Sequence, residues 1–143
     1  MRKIVRLLVA AWLWWSGANN PEPSPWIDFG LAQPYEAAVQ AWAPHKADVR
    51  EVRFCRGEAE CQNQYGALAM WVEASRTIWV KNIAVWPAED GLTTTIMHEY
   101  GHALGLAHAT DGEASIMRPD WSELQRKPTA RDLAAAEALE GRK

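Results

Sequence analysis

Basic clusters are missing from most of this chain of 143 residues: beyond its first six residues no group of Lys and Arg occurs, and the formal net charge is −3. An acidic chain without a basic patch carries no sign of nucleic-acid binding. Long apolar runs are missing too. The stretch Leu7 to Trp15 is too short to span a bilayer. There are two cysteines, with no second Cys or His pair near them, which excludes a cysteine-based metal site there. No repeat, low-complexity tract or Asp/Gly-rich calcium loop occurs, and Asp111-Gly112-Glu113 reads as a plain turn. What remains is a length suited to one domain with a real core, and six Trp beyond residue 15 that point to an aromatic-rich core or cleft.

The first residues carry their own signal. Arg2, Lys3 and Arg6 precede the apolar run, and Ser16-Gly17-Ala18 supplies small residues where a signal peptidase would cut. Residues 1–18 are therefore expected to be an export signal, with an uncleaved anchor or a buried strand as alternatives. Cleavage removes three positive charges and no negative ones, leaving an acidic chain of −6 with no stable membrane span. A secreted or periplasmic location is expected. In such a compartment a bridge between Cys55 and Cys61, closing the loop RGEAE, is plausible, and two free thiols are the alternative.

Residues 19–25, NNPEPSP, read as an extended leader, and residues 26–143 as one domain. A first strand is expected near Trp26 to Phe29. Pro34 to Trp42 places Tyr35, Ala38, Val39 and Trp42 on one helical face, ended by Pro44. Val49 to Cys55 is a strand candidate. Gly66 to Glu73 and Thr77 to Val85 read as antiparallel strands joined tightly through Ala74-Ser75-Arg76. A helix is expected from about Leu92 to Leu104, and a last one from Thr129 to Glu140 with Leu133 and Leu139 as apolar anchors. Strands early and a long helix after them give the α+β class.

The chemistry lies in His98 to His108, HEYGHALGLAH. On a helix, His98 and His102 are four apart and stack on one face, about 5–6 Å between Cβ atoms. That suits two imidazole nitrogens converging on one ion at about 2.0–2.1 Å. Glu99 then points beside the metal, where it can hold a water and take its proton. A continued helix would carry His108 about 9 Å along the axis from His102. Gly105 resolves this, because glycine readily ends a helix in the left-handed conformation and lets the chain turn back. Three neutral imidazoles leave a fourth position open, as in catalytic rather than structural zinc. No ligand geometry requires Gly101, although a small residue there lets another segment approach.

HEYGHALGLAH resembles the metzincin signature HExxHxxGxxH, with His98, Glu99, His102, Gly105 and His108 at its defining positions. Ser115-Ile116-Met117-Arg118-Pro119 resembles the methionine turn of that family, nine residues after His108. The chain is most similar to the matrixin-like group, whose turn is followed by a Pro-x-Tyr segment walling a specificity pocket. Here Pro119-Asp120-Trp121 carries Trp in the tyrosine place. The closing Ala130-Arg131-Asp132-Leu133 and Leu139-Glu140-Gly141 resemble the group's final helix. The similarity is tight over residues 92–141 and looser over 26–85. It implies a small metzincin-like catalytic domain: a twisted, mostly parallel sheet with an antiparallel edge strand, packed on two to three helices. A zinc cleft is expected between the sheet subdomain and a small C-terminal subdomain.

Departures are informative. Ala109 stands where such proteins often have Ser, and His45 is the one further histidine, so a three-histidine structural zinc site cannot be built. One catalytic zinc and no calcium are expected, as is the absence of a cysteine-switch propeptide. The resemblance implies a monomeric endopeptidase acting on polypeptides. A peptide would lie along Gly66 to Trp71, with Leu92 and Trp121 helping to shape a pocket. Two other readings stand beside it: a silent, zinc-stabilised binding module, or a zinc hydrolase acting on non-peptide or cell-wall amides.

Overall fold

The computed structural model describes residues 24–56, 67–83, 86, 89–120 and 125–142. The expected export signal, most of the leader, Cys61, Gly66 and Trp121 lie outside the described residues. Among the described residues four short strands form one mixed sheet: β1 (Trp26–Ile27), β2 (Glu51–Phe54), β3 (Ala69–Val72) and β4 (Thr77–Val80), in the order β1-β2-β4-β3. β1 with β2 and β2 with β4 run parallel, while β3 runs antiparallel to β4 at the edge. This is the α+β arrangement expected from the sequence. The strands are shorter than their patterns suggested: Val49, Arg50 and Cys55 flank β2 rather than extend it. Arg76 turns the chain between β3 and β4 at φ 54°, in the left-handed region.

Registration explains which sheet face is buried. Val52, Ile78 and Trp71 lie side by side across three strands, as do Phe54, Val80 and Ala69. Side chains alternate along a strand, so these six share one face. Val52, Ile78 and Val80 on it are wholly buried. The opposite face carries Glu51, Arg53 and Trp79. There Arg53 donates to Glu51 at 3.3 Å, and its guanidinium lies 5.8 Å from the Trp79 ring centroid.

Helix α1 (Ala32–Trp42) starts two residues before its predicted position and buries Pro34, Tyr35, Ala38 and Trp42, while Val39 is half-buried. Helix α2 (Gly91–Ala103) is buried at every position from Thr94 to Gly101. Such a helix has neighbours on all sides: the sheet, and α1, which is fastened to it by the Trp42 indole N–H donating to the Met97 carbonyl at 2.8 Å. The Tyr100 hydroxyl accepts from the Ala47 N–H at 3.0 Å on the same side. Helix α3 (Ala130–Glu140) begins at a capping box, in which Thr129 and Asp132 each accept from the other's backbone N–H.

Two expectations about packing need correction. Leu133 and Leu139 are only half-buried, and the buried positions of α3 are Asp132 and Ala136. The polar Asp132 goes inside because its oxygens are fully engaged. Of the tryptophans among the described residues, Trp42 alone is fully buried; Trp71, Trp79 and Trp86 are half-buried, and Trp26 is exposed. The aromatic centre of the core is Trp42 with Tyr35 and Tyr100, whose rings lie 5.9 Å apart.

Candidate metal centre and its supports

Helix α2 presents His98 and His102 one turn apart, then stops where the third histidine needs it to. Its C-cap is Leu104, and Gly105 follows at φ +102°. The Gly105 N–H donates to the His102 carbonyl at 2.9 Å, and the Leu106 N–H to the Gly101 carbonyl at 3.0 Å. That pair of bonds is the Schellman arrangement, which satisfies the last carbonyls while the chain reverses. His108 is thereby brought back to α2. The Nε2 atoms of His102 and His108 lie 3.1 Å and 3.2 Å from that of His98. Among the described residues these three form the one cluster of potential metal ligands, all within 4.8 Å of one another.

The other ring nitrogens decide what those atoms can do. His98 Nδ1 is 2.6 Å from the Ile116 carbonyl, and His102 Nδ1 is 2.7 Å from the Leu106 carbonyl. A carbonyl only accepts, so each Nδ1 carries the hydrogen and donates it. In the neutral rings each Nε2 is then a lone pair, and His98 and His102 point lone pairs at each other across 3.1 Å. Nothing among the described residues relieves that repulsion; a cation between them does. Three nitrogens on a tetrahedral zinc at about 2.0–2.1 Å would stand about 3.3 Å apart, close to the spacing here. The donor set fits zinc.

Burial keeps the His98 and His102 rings neutral. It pulls His98 down to about 4, despite the opposing bond to Ile116, and His102 is lowered for the same reason. A neutral imidazole is the form a metal binds. Glu99, also buried, is pushed up to about 7 by desolvation, with the Trp71 N–H pulling the other way. That N–H donates to Glu99 Oε2 at 2.7 Å and fixes the carboxylate against the edge strand.

Sequence reasoning missed the support beneath the cluster. Asp132, 4% exposed, accepts from the Ser115 hydroxyl at 2.5 Å through Oδ1. Its Oδ2 takes the Ile116 N–H at 3.1 Å and the Thr129 N–H at 2.8 Å. Ser115 Oγ in turn accepts from the Met117 N–H at 2.9 Å. The turn whose Ile116 carbonyl orients His98 is thus held by one carboxylate from α3. Ala109 N–H donates to the Met117 carbonyl at 2.9 Å and ties the segment after His108 to the same turn. Spacing could not reveal this, since Asp132 lies 34 positions beyond His98; a Ser opening the turn and an Asp three residues after the helix-capping Thr129 were the available hint.

Gly101 also finds its reason. A Cβ there would stand 2.3 Å from Met117 Sδ and 2.8 Å from Trp42 Cζ2. The methionine turn and α1 both press on the helix backbone at this point. A Cβ at Gly105 would meet only Leu139, at 3.5 Å, so Gly105 is required by its φ and Gly101 by close packing.

The remaining candidates are dispersed. Pro119 is exposed, and Leu92 is half-buried against the core. Cys55 is disulfide-bonded; the one other cysteine in the chain, Cys61, lies outside the described residues. His45 is elsewhere, with Nδ1 3.1 Å from Glu140 Oε2. Asp111 closes its turn by accepting from the Glu113 N–H and pairs with Arg131, which holds its carboxyl down at about 2.

No curated protein matches the chain. A family model does: that of the matrixins, Peptidase_M10, over residues 28–140. The matched stretch begins just after the first strand, ends with the last helix, and takes in the histidine trio, Glu99, the methionine turn and Asp132. On that match the chain belongs to the matrixin family, and so to the zinc metallopeptidases.

Proposed function

We propose that the chain is an exported zinc endopeptidase, with His98, His102 and His108 as ligands of one ion and Glu99 as general base. The observation that carries this reading is the pair of opposed Nε2 lone pairs at 3.1 Å, each enforced by an Nδ1–H donated to a backbone carbonyl. Zinc, when bound, supplies Lewis acidity: it eases ionisation of a water and polarises a carbonyl.

The chain's own residues do the rest. Glu99, anchored through Oε2, offers Oε1 to take the proton of the attacking water and to return it to the leaving nitrogen. A substrate lies antiparallel along β3 by strand addition. The Lys81 N–H donates to the Leu68 carbonyl, so even-numbered residues of β3 face β4. Ladder bonding alternates, which leaves Ala69 and Trp71 facing the open edge. Glu99 holds the Trp71 N–H of that edge, and the Ala69 N–H and the carbonyls of both residues face outward toward a peptide. Export follows from the sequence pattern of residues 1–18.

The test is digestion of casein and fluorogenic peptides, with and without chelator, alongside metal analysis. Glu99→Ala should keep zinc and lose hydrolysis, whereas His102→Ala should lose the metal. Hydrolysis surviving in Glu99→Ala would sink the mechanism. A zinc-loaded chain that cleaves no peptide would favour a binding module or a non-peptide amide substrate.

A further inference from the structure

We propose that Glu73 is a specificity residue: the cleft it borders with Trp71 takes an Arg or Lys side chain lying N-terminal to the scissile bond. The proposal rests on the peptidase reading above and deepens it by naming a substrate class.

A cleft of about 290 Å³ opens between the end of β3 and the turn that ends α2. Trp71 and Glu73 form one side, and His102, Leu104, Gly105 and Leu139 the other. That volume sits at the lower bound for ligand pockets and suits one long side chain rather than a free ligand. Because the cleft reaches His102, it is continuous with the metal centre. Glu73 stands just past the end of β3, in the turn that follows Val72, and lines the cleft together with Trp71.

The chemistry of the lining is that of a site for a cation on an apolar stem. Leu104 and Leu139 offer apolar surface, and the Trp71 indole is half-buried. Glu73 is exposed, and among the described residues no cation pairs with its carboxylate. Arg76, the nearest cation in sequence, is committed to Asp48. An Arg or Lys substrate side chain lays its methylenes on the leucines, its charge near the indole face and its head at Glu73. An acidic side chain meets a like charge in the same place.

Direction along the strand fixes where that residue sits. Trp71 adjoins Glu99, hence the scissile bond, and Glu73 lies two residues further along the chain, at the turn that ends β3. In an antiparallel peptide, residues facing later positions of β3 are earlier in the substrate. The basic residue is therefore the second or third before the cleaved bond.

The experiment uses the zinc-loaded chain and a set of fluorogenic peptides of one sequence. Each of the four positions before the cleaved bond carries Arg, Gln or Glu in turn. Arg should exceed Glu in kcat/KM by roughly threefold to tenfold at the second or third position, the size of an exposed ion pair plus one exposed cation–π contact. The preference should shrink in Glu73→Gln to what the Trp71 contact alone supplies, and fall further in Glu73→Lys. Equal rates for the three peptides in the wild type, or an undiminished Arg preference in Glu73→Gln, would overturn the proposal. If no peptide is cleaved, the peptidase reading fails separately, and calorimetric binding of the Arg and Glu peptides to zinc-loaded Glu99→Gln decides the cleft. Tighter binding of the Arg peptide supports it, and equal binding refutes it.

Discussion

Replacing Asp132 with Ala removes the acceptor for four hydrogens at once. Ser115 and Ile116, 1% and 0% exposed, lose their partners where no water reaches. Thr129, only half-buried, can turn its groups to solvent. Each buried orphan costs about 1–3 kcal/mol, so the two together cost about 2–6 kcal/mol, a large part of a stability of about 5–15 kcal/mol. In a domain of this size that is a fall in Tm of roughly 3–5 °C per kcal/mol. Asp132→Asn keeps one carbonyl oxygen and the shape and should lose much less. The consequence for the site is separate from stability. Without Asp132 the Ile116 carbonyl drifts, His98 loses its fixed tautomer and orientation, and zinc affinity should fall about 10–100-fold. The assay is zinc competition against a chromophoric chelator, with thermal melts in parallel. Leu31→Ala serves as a control: it empties a wholly buried site on the α1 side at a comparable cost of about 2–5 kcal/mol. If Asp132→Ala and Leu31→Ala bind zinc equally well at matched stability, the carboxylate merely holds the fold and the argument is wrong.

Other expectations follow from the same geometry. Glu99 has a folded-state pKa near 7 against an ordinary 4.5, so it stabilises the metal-free protein when protonated; that contribution is present below pH 4.5 and is lost as pH rises through 7. In chelator, Glu99→Gln should therefore raise Tm at pH 8 and leave it little changed at pH 4; the same gain at both values would refute the assignment. Gly101→Ala should lower stability by about 1–3 kcal/mol, the range for overpacking, because Trp42 and Met117 must move; an unchanged melt would show that the contact gives way freely. Gly105→Val should weaken zinc more than it weakens the fold, since it strains the reversal that returns His108, and calorimetric zinc titration beside a melt separates the two. His108→Ala should leave α2 helical by circular dichroism and abolish tight zinc binding.

Much of the site was legible because its ligands are local. His98, Glu99 and His102 lie within one helical turn and a half, so their mutual placement follows from the helical repeat alone. The need for a reversal before His108 was legible too, because a straight helix fails by a distance that spacing supplies, and Gly105 stands at the failure point. The order of strands and the tight β3–β4 connection came from alternation and turn residues. What pattern could not supply was strand length, since ladder bonding ends where a partner ends, not where hydrophobicity does.

The sequence by itself determined the chemistry: three imidazoles and a carboxylate at spacings that one helix and one glycine turn bring to a point. Tertiary structure decided what makes those groups usable. The edge position of β3 put the Trp71 N–H on Glu99. The approach of Met117 and Trp42 dictated Gly101. Asp132, on a helix distant in sequence, braced the turn that sets the His98 tautomer. The physical reason is common to all three. A covalent spacing fixes neighbours within a turn or two, whereas the hydrogen bonds that orient and desolvate them come from segments that meet only when the core closes.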